Sequence, residues 1–231
     1  MNKDLNILQK TIKYRFGCTA LLKQALIHPS YSGEMHMQRF ESNQRLEFLG
    51  DAVLELVISD YLYKQHPETE EGELTRMRAS LVFEAALAVC AEDIGLGEFI
   101  YLGKGEDKSS GRSKPSILSD TFEAVIGAIY MDGGMEHASE FIYSFLISNI
   151  DELSLMHDGK SAIQEIVQRN PESTLSYVTE TLQSPDHQKK FRSFLYIDGK
   201  QITEGFGHSK KNAEQDAAIK AVRLFQAENG I

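Results

Sequence analysis

An all-α N-terminal domain followed by a small α+β domain of order α-β-β-β-α is what this sequence predicts, from three observations. Up to residue 150 apolar residues recur at helical spacing, and no convincing alternating strand interrupts them. After Gly159 the period changes: one helical stretch, three alternating segments and a closing helical stretch follow within the last 72 residues. Charge divides at the same place. Residues 1–159 carry 14 Lys+Arg against 25 Asp+Glu, whereas residues 160–231 carry 10 against 9. The expected organisation is therefore a helical domain over 1–153, a short, partly flexible linker over 154–159 and a second domain over 160–231.

The whole chain of 231 residues has a net charge of −10, which taken alone argues against a nucleic-acid binder. The division changes that, because the acidity sits in the first domain, where carboxylates can serve as ligands. Phosphate affinity then has to come from local basic clusters in the second domain and from bound cations. Cys18 and Cys90, with no CxxC, read as thiols of a reducing compartment. No secretory h-region and no apolar run near 18 residues is present, so a cytoplasmic protein with no membrane association is expected.

In chain order, residues 4–14 and 21–28 show helical spacing, and His28-Pro29 ends the second of these, since a residue before proline leaves the α region. Residues 43–63 form the next helix. On it Glu47 and Asp51, four apart, stack on one face among Leu46, Phe48, Leu49, Val53 and Leu54. Half-buried like charges need a proton, a base or a cation between them, although an ordinary polar stripe running on to Glu55 and Ser59 is the competing reading. Residues 70–95 read as one further helix with an acidic first turn. Residues 103–115 read as a mobile glycine-rich loop in which Lys104, Lys108, Arg112 and Lys114 are free to meet phosphates; the P-loop spacing is absent. Asp120 and Glu123 then open a helix whose residues 124–131 hold no charge, as in a helix buried on most faces. Asp132-Gly133-Gly134 stops it, and residues 136–150 supply another. Two buried helices, each with two acids on one face, make a four-carboxylate cluster of a kind that suits Mg²⁺ or Mn²⁺.

In the second domain, 161–169 is helical and 174–182, 190–197 and 201–206 alternate as strands. Asp198-Gly199 is a two-residue hairpin turn, and 210–226 is the closing helix.

The stretch Asn43-Gln44-Arg45-Leu46-Glu47-Phe48-Leu49-Gly50-Asp51-Ala52-Val53-Leu54 closely resembles the signature segment of ribonuclease III. Ser116-Ile117-Leu118-Ser119-Asp120-Thr121-Phe122-Glu123-Ala124 resembles that family's second acidic motif, and His28-Pro29-Ser30-Tyr31 matches a stretch near its start. Residues 160–231 resemble a double-stranded-RNA-binding domain through Ile163-Gln164-Glu165, Pro185-Asp186-His187 and the run from Gly205 to Glu214. The resemblance implies a Mg²⁺-dependent endoribonuclease, with Mn²⁺ able to substitute, that cuts double-stranded RNA as a homodimer. It implies 5′-phosphate and 3′-hydroxyl ends, short 3′ overhangs, a role in rRNA and mRNA processing, and no organic cofactor. Glu47, Asp51, Asp120 and Glu123 would be the metal ligands, with Asp51 and Glu123 central to catalysis. By the same resemblance Phe48 is a dimer contact, where simple core is the alternative, and Glu71 is an outer-shell residue, where a solvated cap is the alternative. Gln164, Gln168 and His187 would touch RNA minor grooves, and Lys210 and Lys211 the phosphates between them. Gln44 departs from the more usual Glu, so weaker outer-shell or dimer contacts are expected there; Ser184 replaces a more usual Gly. His28 by itself reads as a packed structural histidine. A non-cleaving RNA binder and a small-nucleotide phosphohydrolase are the rival functions; the second wants paired histidine ligands, and the seven histidines here are scattered.

Overall fold

The architecture follows from how closely two helices of the first domain approach each other. In a computed structural model, which describes residues 4–182 and 190–229, the chain divides into two compact units, Met1–Ile150 and Asp151–Ile231. The first unit contains α1 (Leu5–Thr11), α2 (Thr19–Ala25), α3 (Pro29–Glu34), α4 (Gln44–Gln65), α5 (Glu71–Ala79), α6 (Glu84–Asp93), α7 (Lys104–Lys108) and α8 (Pro115–Phe145). The uncharged run of α8 is the middle of the core: Phe122, Val125, Ile126 and Ile129 are fully buried. Against it α4 lays Leu46, Val53, Leu54, Val57, Ile58 and Leu62, all buried. The two helices touch backbone to backbone at Gly50 and Gly127. A Cβ on Gly50 would lie 1.8 Å from the Glu123 carbonyl oxygen, and one on Gly127 2.1 Å from that of Leu46. α2 and α6 also pack on α8.

Three stretches of the first unit depart from the sequence expectation. The helix expected over 70–95 is two helices, α5 and α6, separated where Phe83 turns extended (ψ 153°). The break buries Leu81 and turns Ala86, Leu87 and Cys90 of α6 into the core, a direction that α5, with no buried residue, does not share. The expected mobile loop at 103–115 is ordered as α7 and a 3₁₀ turn, Gly111–Ser113. Three of its four cations have partners. Arg112 donates to the carbonyls of Gly97 (3.0 Å) and Ile100 (2.9 Å) and pairs with Asp107, Lys114 pairs with Glu106, and Lys104 with Glu34. The stop at Asp132-Gly133-Gly134 takes the form of a kink inside α8, with Gly134 at φ 82°. Asp132 accepts hydrogen bonds there from the Tyr14 hydroxyl and from the N–H groups of Gly17 and Cys18, all at 2.8 Å, which secures the start of α2.

The second unit has the predicted α-β-β-β-α order: α9 (Ile150–Gln168), β1 (Leu175–Leu182), β2 (Lys190–Ile197), β3 (Lys200–Gly207) and α10 (Lys210–Asn229). The strands form one antiparallel sheet, β1-β2-β3. Asp198 and Gly199, at φ 50° and 75°, make the tight turn between β2 and β3. One face of the sheet packs on both helices around Ile163, Val167, Leu195, Ala217, Ala218, Ala221 and Val222. Where a flexible linker was expected at 154–159, α9 runs through, interrupted only at Asp158 (φ −131°, ψ 38°). Leu155 joins that core and the Met156 carbonyl accepts from Gln215 of α10, contacts a local reading of sequence cannot see. Among the described residues no helix is long and apolar enough to cross a membrane.

Candidate active site

Three of the four acids meet because α4 and α8 are in backbone contact beside them. Oxygens of Glu47, Asp120 and Glu123 all lie within 4.8 Å of one another, and the three side chains are half-buried. Carboxylates so crowded and partly removed from water hold protons tightly. Burial, then the charges of Asp51, Asp120 and Glu47, push Glu123 up to about 8. Burial, then Asp120 and Asp51, push Glu47 up to about 7. Asp120 is raised by burial and by Glu84, and Asp51 by burial and by Glu55.

Asp51 is exposed and stands outside the group of three, although its charge is the largest acting on Glu123. The helical period correctly puts Glu47 and Asp51 on one side of α4, but only the nearer acid is drawn into the cleft. A donor set made only of carboxylate oxygens, repelling one another at this range, matches what a hard divalent cation requires.

Other expected site residues fall in separate places. Gln44 is exposed in the first turn of α4. Phe48, one residue from Glu47, is 79% exposed, which removes the core alternative. Glu71 accepts from Thr75 and lines a hollow with Ser59, Leu62 and Tyr63. Those α4 residues lie 12 to 16 positions beyond Glu47, about 18–24 Å along the helix axis. Glu71 is therefore remote from the carboxylates of its own chain. In the second unit Gln164 and Gln168 are exposed on α9, one turn apart, and Lys210 and Lys211 are exposed in the first turn of α10. The Ser209 hydroxyl accepts from the Asn212 N–H there, capping the helix. Two cations at the positive end of a helix are poorly placed unless an anion joins them. His187, with Ser184 and Pro185-Asp186, lies outside the described residues.

Two neighbours of the acids went unnoticed in the sequence. Glu84, at the start of α6, acts on Asp120, as does His28, which had read only as a packed structural residue. No local signal marks either one; they are brought in by the turn before α6 and by the packing of α3 beside α7.

With this geometry in place, comparison with known proteins is informative. Residues 19–150 match the family model described as ribonuclease-III-like, and residues 160–224 the double-stranded RNA binding motif. Ribonuclease 3 of Pelotomaculum thermopropionicum is 44% identical over 94% of this chain and 92% of its own length. That of Desulforamulus reducens is 46% identical over 97% and 93%. Two solved structures of the nuclease domain of ribonuclease III from Campylobacter jejuni superpose with TM-scores of 0.59 and 0.58 at 39% identity. The first covers 63% of this chain and 98% of its own, and was described for structural flexibility in a region involved in dimer formation. With likeness that runs through both units and nearly the full length, this chain belongs to the ribonuclease III family.

Proposed function

We propose that this chain is a Mg²⁺-dependent endoribonuclease that cuts double-stranded RNA as a homodimer, leaving 5′-phosphate and 3′-hydroxyl ends with short 3′ overhangs. The observation that carries this reading is the meeting of Glu47, Asp120 and Glu123 within 4.8 Å in a chain whose second unit matches an RNA-binding motif. Those three residues, with Asp51 at the edge, would hold one or two Mg²⁺ ions, or Mn²⁺ in their place. Bound there, the metal supplies a water of lowered pKa and neutralises charge on the phosphate. The chain's own part is to hold four carboxylates ionised and oriented and to present a duplex to them. Gln164 and Gln168 on α9, and Lys210 and Lys211 at the start of α10, are the groups that would read minor groove and phosphates, and we assign His187 a minor-groove contact as well. The reading places the protein in a reducing cytoplasm, where Cys18 and Cys90 remain thiols.

The direct test is incubation with long duplex RNA in Mg²⁺, in Mn²⁺ and in EDTA, with the product ends analysed. Cleavage in either metal and none in EDTA is expected, with 5′ ends that a phosphomonoesterase alters. Cleavage in EDTA would remove the metal from the reading. Tight binding with no cleavage in any divalent ion would favour the non-cleaving RNA binder.

The dimer reading rests on an apolar stripe along α4. Phe48, Ala52, Leu56 and Tyr63 are exposed at positions that share one helical face, and Phe48, Leu56 and Tyr63 are 79%, 57% and 74% accessible. A row of large apolar side chains on one helix of a single chain marks a surface that another chain covers. Phe48→Glu is expected to convert the dimer to monomer by sedimentation velocity, weakening association by roughly 10²-fold or more, as for loss of a buried aromatic anchor. Unchanged sedimentation would move the interface elsewhere.

A further inference from the structure

The end of α1 borders a hollow of about 530 Å³ lined by Lys10, Lys13 and Arg15 together with Asp4, Gln9 and Tyr14. Three of the 14 Lys and Arg of residues 1–159 thus line one space, in the part of the chain that carries 25 acids. All three are exposed, and among the described residues none makes an ion pair or a side-chain hydrogen bond. Asp4, the acid beside them, is occupied as the N-cap of α1, accepting from the N–H (2.9 Å) and the Nδ2 (2.8 Å) of Asn6. Like charges gathered around one hollow repel one another, and an anion between them relieves the repulsion.

Lys13 stands there in a conformation that most side chains avoid. Its N–H donates to the Lys10 carbonyl (3.3 Å), and the Tyr14 N–H donates to that of Gln9 (3.2 Å), the two bonds that end a helix through a left-handed residue. Glycine is the usual occupant of that position; here it is Lys13, at φ 56°. The turn around it is fixed. Gln9, buried, accepts from the Phe16 N–H (2.9 Å), the Tyr14 hydroxyl donates to Asp132 (2.8 Å), and the Tyr14 ring meets that of Phe16 edge-on at 4.9 Å. Asp132 lies nine residues beyond Glu123 on α8, about 14 Å along the axis, so this brace is apart from the acidic cleft. Cations carried on a braced turn need little ordering to receive a ligand.

We propose that Lys10, Lys13 and Arg15 form a binding site for closely spaced phosphates, those of an RNA strand or of a free nucleoside polyphosphate. Successive phosphates present several charges and many acceptor oxygens at once, which suits ammonium and guanidinium donors grouped in this way. The competing explanation is that Lys10 and Lys13 only offset the carbonyl end of α1.

The test uses full-length protein carrying Lys210→Gln and Lys211→Gln, which removes the phosphate contacts assigned to α10. It is titrated with inorganic tripolyphosphate in EDTA by calorimetry, and its Tm is measured. Saturable binding is expected. Adding Lys13→Gly is expected to weaken it by about 5- to 10-fold, as for loss of one charge-assisted hydrogen bond. The same change should raise Tm by about 2–4 °C, because the left-handed position receives glycine. Arg15→Gln, outside the helix end, is expected to weaken binding by a similar factor, which a role confined to the end of α1 does not predict. No saturable binding, or undiminished affinity in both variants, would overturn the proposal, as would citrate binding as tightly as tripolyphosphate. The source of the phosphates is read on duplex RNA with Lys210 and Lys211 intact. Where an RNA strand occupies the hollow, Lys13→Gly lowers the slope of log K against log salt concentration by about 1. An unchanged slope beside weakened tripolyphosphate binding assigns the hollow to a free nucleoside polyphosphate. Only this second measurement rests on the duplex-binding reading, so failure to bind any duplex would sink that reading and leave the tripolyphosphate result to decide the site.

Discussion

Replacing Glu123 by Gln is expected to lower strand cutting by roughly 10³-fold, the several kcal/mol that a metal contributes at a phosphoryl centre, while duplex binding changes little. Gln keeps the size of Glu and loses the charge, so what is removed is the ligand and not the packing. The same change is expected to stabilise the metal-free protein, because Glu123 sits at about 8 and Glu47 at about 7 against a usual 4.5. The sign follows from proton binding. A carboxyl with a raised folded-state pKa binds its proton more tightly folded than unfolded, so its contribution is complete below about 4.5 and is lost as pH rises through 7 and 8. In EDTA the wild-type Tm should therefore fall between pH 5 and 8.5. Glu123→Gln should fall less steeply and be more stable at pH 8 by of order 1–2 kcal/mol. Mg²⁺ should raise the wild-type Tm most at the alkaline end, where the cluster is ionised, and raise that of the variant far less. A variant that cuts as wild type does would take Glu123 out of the ligand set. One that is less stable than wild type in EDTA at pH 8 would mean the carboxylates do not repel as their positions require.

Much of this site was legible as spacing. Acids four apart at Glu47 and Asp51, and three apart at Asp120 and Glu123, must each share a helical face, and apolar neighbours say that the faces are partly covered. The strands and the Asp198-Gly199 turn were legible for the same reason, since a period of two and a positive φ at both turn positions leave a chemical trace. Periodicity reports which residues share a face and is silent on what lies opposite. That is why Asp51 could not be told from Glu47, although one is exposed and the other half-buried. It is also why Phe48 stayed divided between core and interface until its exposure was known. The loop at 103–115 misled because glycine, serine and lysine look mobile, whereas Arg112 is held by two backbone carbonyls that belong to a turn before α7. Long-range partners of that kind leave no mark in the local sequence.

Gly50→Ala is expected to be among the most damaging single substitutions in the chain, costing about 3 kcal/mol or more by overpacking. In an exposed helix interior the same change ordinarily stabilises by roughly 0.5–1 kcal/mol. At Gly50 the added methyl would stand 1.8 Å from the Glu123 carbonyl oxygen, 2.7 Å from its carbon and 2.9 Å from the Gly127 nitrogen. All three are backbone atoms inside α8, so no side chain can swing aside and the helices must separate. Gly72, also helical and with nothing within 4 Å of its added Cβ, is the control, and Gly72→Ala should leave the urea midpoint unchanged or slightly higher. Separation of α4 from α8 also draws Glu47 away from Asp120 and Glu123, because these acids are carried by the two helices being forced apart. Gly50→Ala protein that still folds should therefore bind Mn²⁺ more weakly than wild type. If Gly50→Ala unfolded in urea within 1 kcal/mol of wild type, the helices would not be in backbone contact, and the packing that brings the carboxylates together would need another cause.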